Sequence, residues 1–176
     1  MTLKFRSLLA LLTVTGSLLT GTLASPAAAA AGATTCTTVQ RTTYSPGVTL
    51  FPSQQSIQVT SIYAPCVSTS RPDITSGTAT VTLQGSRSCL TLDSTGGGTA
   101  GIRWNTGETS TYTYVSSSQT VAGQIVLTII GTVTAGVFRG SSITIVLASP
   151  VVNVLACLLP PGITSRIGVG TLTIRQ

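Results

Sequence analysis

Short runs of Val, Ile and Thr, bounded by Gly, Ser or Pro, recur through the second two thirds of the chain. Their lengths suit β-strands, where β-branched residues are favoured, and no segment after residue 30 has ten or more residues with helical period and caps. The chain therefore predicts an all-β domain, an antiparallel β-sandwich or barrel. The clearest runs are residues 56–63, 78–84, 125–130, 142–147 and 168–174.

Two of these runs, and one turn between runs, allow finer predictions. Residues 78–84 alternate cleanly between apolar and polar, whereas residues 56–63 lose their alternation after Val59. Asn105-Thr106-Gly107 separates two strand-like segments, which predicts a short hairpin at one end of the domain. Phe138, held between two nearby glycines, is predicted to be a corner residue packed into the core.

The first thirty residues have the layout of a secretory signal peptide. Lys4 and Arg6 precede an apolar stretch, and the alanines of residues 27–30 offer the small side chains that a signal peptidase accepts. We expect cleavage near residue 30 and a single secreted, extracellular domain over residues 31–176. The most apolar later stretch, residues 143–159, contains Pro150 and Asn153 and predicts two buried strands around a proline corner. We therefore expect no membrane span after signal removal.

Four cysteines lie in the secreted part, an even number suited to an oxidising compartment. Their spacing has no CxxC motif, so two disulfides are a better interpretation than a zinc site. Three pairings are open, and we expect Cys36–Cys66 with Cys89–Cys157, because each bridge then staples one segment of a sequentially folded sheet. The chain-entropy contributions are about 3.6 and about 4.4 kcal/mol.

The available side chains exclude several kinds of chemistry. Histidine is absent, and the only lysine, Lys4, lies in the predicted signal. This excludes Ser-His-Asp and Cys-His sites, Ser-Lys dyads, lysine Schiff bases and histidine metal ligands, so we expect no metal and no cofactor. Without residues 1–30, seven arginines stand against three carboxylates, a net charge of +4. The arginines are dispersed singly, which argues against a nucleic-acid partner.

Two alternative functions, a hydrolase and a protease inhibitor, would depend on the three carboxylates and on Arg71 respectively. A carboxylate-dependent hydrolase would need two of Asp73, Asp93 and Glu108 close together with separated pKa values, although each also suits a turn or strand end. A secreted protease inhibitor would need a protruding loop, and Arg71 before Pro72 would make a poor scissile bond.

Three aromatic residues are the candidate binding surface. Trp104, Tyr112 and Tyr114 lie on the two arms of the predicted hairpin, and an exposed row of these rings would stack on sugars. We favour a core position for Trp104, as is usual for the single tryptophan of such a domain, while the two tyrosines stay open.

The positions of cysteine, glycine and aromatic residues resemble a functionally uncharacterised family of small secreted actinobacterial all-β proteins with four cysteines. The resemblance covers essentially the whole mature chain and implies secretion, disulfides and an all-β fold, and it transfers no catalytic or binding residue. Its motifs are Cys36, Tyr44-Ser45-Pro46-Gly47, Tyr63-x-x-Cys66, Ser88-Cys89-Leu90, Trp104-x-x-Gly107, Gly136-x-Phe138-x-Gly140, Cys157-x-x-Pro160-Pro161-Gly162 and Gly170-Thr171-x-Thr173-Ile174.

These observations favour a secreted, non-catalytic β-sandwich module that binds an extracellular partner. A polysaccharide or another cell-surface polymer is the partner class that the aromatic row would suit. The protease inhibitor and the carboxylate-dependent hydrolase remain the alternatives.

Overall fold

Eight antiparallel strands form a closed barrel in which each strand pairs with the next and β8 pairs with β1. The structure is a computed structural model that describes residues 32–92 and 95–176, so the predicted signal peptide and Asp93 lie outside the described residues. The all-β prediction is confirmed, and the barrel is the correct one of the two architectures. The strands are β1 Ala33–Val48, β2 Ser53–Ser68, β3 Gly77–Arg87, β4 Gly97–Trp104, β5 Thr109–Val121, β6 Gln124–Gly136, β7 Ser142–Pro150 and β8 Ile163–Arg175.

The barrel has two chemically different ends. Because neighbouring strands run in opposite directions, alternate connections lie at the same end. The connections after β2, β4 and β6 lie at one end, here called the plug end, together with the start of β1 and the close of β8. The connections after β1, β3, β5 and β7 lie at the other end, here called the mouth.

Trp104 closes the plug end. It is 2% exposed, and its indole Nε1 donates a hydrogen bond to Ser110 Oγ at 2.8 Å. Phe138 packs edge-on against it with ring centroids 5.7 Å apart, and a Cβ added to its cross-strand partner Gly77 would lie 2.7 Å from the indole ring. The predicted core positions of Trp104 and Phe138 are confirmed, and so is the turn at residues 105–107, where Gly107 has φ +86°.

Strand β2 corrects one prediction. Its alternation continues unbroken past Val59: Ser61 and Tyr63 are buried, whereas Ile62 is exposed on the outer wall. The expected loss of register is therefore wrong. Ser61 occupies an interior position because its hydroxyl forms a hydrogen bond with Tyr63 inside the barrel, which offsets the cost of burying it.

The stretch 143–159 corrects another prediction. Its first half forms β7, but the second half forms a short 3-10 helix, Val154–Cys157, in place of a buried strand. Asn153 caps this helix, accepting a hydrogen bond from Leu155 N at 3.0 Å. Within the described residues, no helix has the length and hydropathy of a membrane span.

Both expected disulfides are confirmed, and none of the four cysteines is free. Cys36–Cys66 links β1 to β2, and Cys89–Cys157 links the connection after β3 to the 3-10 helix. Two structural disulfides are compatible with an oxidising, extracellular compartment.

Candidate ligand-binding cavity

A cavity of about 260 Å³ occupies the mouth half of the barrel. All eight strands contribute to its lining, from the buried Tyr63 next to the plug to partly exposed side chains at the mouth. The plug half is filled by large side chains, whereas in the mouth half a smaller buried cluster of Tyr44, Val48 and Ile57 leaves part of the interior open. The reason is that inward positions here carry shorter residues such as Ala79, Ala100 and Ser116.

Aliphatic side chains form most of the cavity wall. Inward positions of β2, β3, β6 and β7 supply them, as the alternation of residues 78–84 and the Ile-rich runs of β6 and β7 dictate. A wall of this kind favours an apolar ligand body. Its main members are Ile57, Val59, Val81, Leu127, Ile129 and Leu147.

The barrel wall is least continuous between β3 and β4. These strands pair only at Gly77↔Trp104 and Thr78↔Arg103, next to the plug. Toward the mouth they share no further pairs, whereas every other neighbouring pair of strands has at least seven. Leu83 of β3 lines the cavity and is nevertheless 45% exposed. This gap offers a route into the cavity beside the connection after β3.

A cluster of hydroxyl groups forms the cavity floor. The Tyr63 oxygen accepts hydrogen bonds from the hydroxyls of Ser61 and Tyr112. Tyr114, one inward position further along β5, lies with its ring centroid 5.9 Å from that of Tyr112. The hydroxyl groups of Ser61, Tyr63 and Tyr112 can each donate a hydrogen bond to an oxygen of a bound molecule.

The floor tyrosines are neutral at physiological pH. Burial raises the pKa of Tyr63, and the hydrogen bonds from Ser61 and Tyr112 only partly oppose this. Burial also raises the pKa of Tyr112 far above its ordinary value, and the adjacent Tyr63 raises it further. Both groups can donate hydrogen bonds, but neither is available as a tyrosinate base or nucleophile.

Two arginines give the cavity a positive mouth. Arg87 lies at the end of β3 and Arg166 near the start of β8, both partly exposed. Arg166 Nη2 donates a hydrogen bond to Ser149 Oγ at 3.1 Å, which directs its side chain across to β7. Among the described lining residues there is no carboxylate. The mouth can therefore attract an anionic group, and charge-assisted hydrogen bonds from guanidinium groups would hold it.

The two described candidate carboxylates, Asp73 and Glu108, lie at the plug end of the barrel. Arg71 donates hydrogen bonds to both Asp73 and Glu108, and all three side chains are partly or fully exposed. These hydrogen bonds lower the pKa of Asp73 and of Glu108. A hydrolase pair needs one carboxyl group that stays protonated, so this arrangement does not supply the acid. The same ion pairs hold the Arg71 side chain against the domain.

The structure places the three predicted aromatic residues inside the barrel. Trp104 belongs to the plug, and Tyr112 and Tyr114 line the cavity, so the rings do not form the exposed row that sugar stacking requires. Sequence analysis missed Ser61, Tyr63, Arg87 and Arg166. The period of two set by Ile57 and Val59 puts Ser61 and Tyr63 on the inner face when it is extended, whereas the arginines have no local signal.

The part of the chain that is described has no group of three His, Cys, Asp or Glu side chains that could hold a metal ion. No protein-family model, curated protein or solved structure matches the chain.

Proposed function

We propose that the protein binds one small amphipathic molecule in its barrel and performs no chemistry on it. The observation that carries this proposal is the apolar cavity that remains in the mouth half of an otherwise well-packed barrel. An eight-stranded barrel is just wide enough either to be filled by side chains or to hold one small ligand. In this barrel, side chains fill the plug half, and the cavity in the mouth half is left for a small ligand.

The dimensions of the cavity set the size of the ligand. A volume of 260 Å³ corresponds to about nine groups of the size of a water molecule, at ~30 Å³ each. A straight-chain carboxylic acid of eight carbons is of this size. Its chain would lie against Ile57, Leu127 and Leu147, which favours burial of the whole aliphatic body.

The two polar regions set the orientation of the ligand. Arg87 and Arg166 would hold the carboxylate at the mouth, where it stays partly hydrated. A hydroxyl of the Ser61–Tyr63–Tyr112 trio would donate to a ligand oxygen at the buried end. A ligand with a carbonyl near its tail is therefore preferred over a plain alkyl chain, which offers these hydroxyls no acceptor.

The side chains around the cavity support binding over catalysis. The described lining has no carboxylate, and all four cysteines are in disulfides. Histidine is absent from the chain, and the floor tyrosines are held neutral by burial. None of these groups acts as a general base near a bound molecule. We place this binding protein outside the cell, in keeping with its two disulfides and the signal-like residues 1–30.

Calorimetric titration with octanoate, 1-octanol and 7-oxooctanoate tests the proposal. We expect octanoate to bind more tightly than 1-octanol and 7-oxooctanoate to bind more tightly than octanoate. Arg166→Gln should weaken octanoate binding by about tenfold and leave 1-octanol binding unchanged, because it removes a charge-assisted hydrogen bond. Arg41→Gln, on the exposed outer wall, is the matched control. Equal affinity of all three ligands, or equal losses in both variants, would contradict the assigned polar contacts.

A further inference from the structure

We propose that the side of β3 that faces β4, here called the open edge, binds an extended peptide segment of another protein as an additional strand. Beyond the pair Thr78↔Arg103, β3 continues to Arg87, and no strand of the described residues pairs with it on this side. An edge of this kind presents a row of N–H and C=O groups at the spacing of a β-ladder. The backbone itself therefore specifies an extended chain as the partner.

The backbone groups of alternate β3 residues point into the gap between β3 and β4. Ser76 O, just before β3, accepts a hydrogen bond from Asn105 N, just after β4, at 3.0 Å. Thr75 O accepts one from Cys66 N of β2 at 2.8 Å. Even-numbered positions therefore face β4 and odd-numbered positions face β2, because successive residues of a strand direct their backbone groups to opposite sides. The positions that face the gap with no described strand paired opposite are Thr80, Thr82 and Gln84.

The side chains of the open edge do not oppose the addition of a strand. Edge strands are commonly protected by charged side chains, by proline or by a bulge. Residues 77–86 contain no charged residue and no proline, and their register with β2 is uninterrupted. The outward threonines of this range are exposed and suit cross-strand hydrogen bonds. The facing edge of β4 is poorer, because Gly97 and Gly101 bring no side chain to a cross-strand pair.

The surroundings of the gap set the sequence of the peptide. Val81 and Leu83 are the inward neighbours and line the cavity, and Leu83 is 45% exposed. Apolar side chains therefore suit the inner face of the added strand, and small polar ones suit its outer face beside the threonines. Arg103 lies at the closed end of the gap. Arg87 lies at the mouth end, where its Nη1 donates to Ser86 O at 3.1 Å, so acidic residues suit both ends of the peptide.

The shape of the gap favours a single extended chain over the edge strand of a folded domain. The two strands stay paired at Gly77↔Trp104 and Thr78↔Arg103, so the gap is closed at the plug end and open toward the mouth. A strand that belongs to a sheet has a neighbour on its far side, about 4.8 Å away, and that neighbour would meet β4. A flexible segment has no such neighbour and can enter from the mouth.

Calorimetric titration with N-methylated peptides tests this inference. The probe is acetyl-Asp-Val-Thr-Val-Thr-Val-Asp-amide, which places its threonines on the outer face and its valines on the inner face when it lies antiparallel to β3. In this register the threonine N–H groups point toward β3, and the valine N–H groups point away from it. One modified peptide carries N-methyl groups on both threonines. The matched control carries them on the second and third valines.

We expect the probe to bind, and the control peptide to bind within about threefold of it. Methylation of the threonines should lower the affinity at least about tenfold, because it removes two hydrogen-bond donors. Thr82→Pro removes an N–H group of the open edge and leaves the pairing with β2, so it should weaken binding of the probe to a similar extent. Thr82→Val keeps that N–H group and should bind the probe as the wild type does. Circular dichroism spectra verify that both variants are folded.

Three results would overturn the inference. The first is a failure of the probe to bind, or an equal affinity for all three peptides. The second is a greater loss on methylation of the valines, which would move the contact away from the open edge of β3. The third is a dimer of the wild-type protein in sedimentation velocity that Thr82→Pro dissociates, since a second copy of the chain would then occupy the edge.

Discussion

Replacing Trp104 with alanine is expected to lower the free energy of unfolding by about 3–5 kcal/mol, the range for large aromatic residues in well-packed cores. The indole is 2% exposed and fills the space between Gly77 and Phe138, so its removal leaves a cavity at the plug end. It also leaves Ser110 without the indole donor, although Ser110 Oγ still donates to Val137 O. Urea unfolding followed by circular dichroism measures the change.

The same residue reports on the native protein by fluorescence. Trp104 is the single tryptophan, so its emission should be blue-shifted and barely quenched by iodide or acrylamide. Phe51→Ala, which truncates an exposed aromatic residue at the mouth, is the control and should leave stability within about 0.5 kcal/mol. Strong quenching together with an alanine variant of unchanged stability would show that Trp104 is not the plug.

Removal of the Cys89–Cys157 disulfide by paired alanine substitutions is expected to cost about 4 kcal/mol of unfolding free energy. The bridge closes a loop with a sequence separation of 68 residues, and the cost arises from the larger conformational freedom of the unfolded chain. The Cys36–Cys66 bridge closes a shorter loop, separation 30, so its removal should cost about 0.7 kcal/mol less on the same reasoning.

Denaturant unfolding of both paired alanine variants and of the wild type measures which disulfide contributes more to the free energy of unfolding. The backbone hydrogen bonds that join Leu50 to Cys157 and Cys89 to Thr49 remain available without the bridge. We therefore expect the variant without the Cys89–Cys157 disulfide to fold and to keep the structure of its mouth connections. An unfolding free energy equal to that of the wild type would contradict the entropic account of this bridge.

Local sequence signals predicted the parts of the fold that depend on neighbouring residues. The hairpin at residues 105–107, the core position of Phe138 and the strand runs of β3, β6 and β7 follow from turn chemistry and alternation. Both disulfides were expected from three open pairings, but only Cys36–Cys66 joins neighbouring strands, whereas Cys89–Cys157 joins the connections after β3 and β7. Hydropathy predicts a buried strand in the second half of residues 143–159, but it does not reveal that Asn153 caps a 3-10 helix there.

The cavity depends on distances that no local pattern encodes. Closure pairs Ala33 with Arg175, at opposite ends of the domain sequence, and only this pairing fixes the width of the interior. Serine and threonine are polar and suit the hydrated faces of strands, yet Ser61 and Thr38 are buried. Arg87 and Arg166 lie at the same mouth because β3 ends there and β8 begins there, a consequence of topology that their separation in sequence hides.

Octanoate calorimetry on a cavity-filling variant tests the central claim most directly. Ala100 of β4 lines the cavity, and its neighbour Thr99 points outward from the same strand. Ala100→Phe places a ring in the space that the ligand would occupy, whereas Thr99→Phe adds the same group to the outer surface. We expect Ala100→Phe to abolish octanoate binding and Thr99→Phe to bind octanoate as the wild type does. Circular dichroism spectra should show that both variants are folded. Undiminished binding to the Ala100→Phe protein would show that octanoate does not enter the barrel, and would contradict the account.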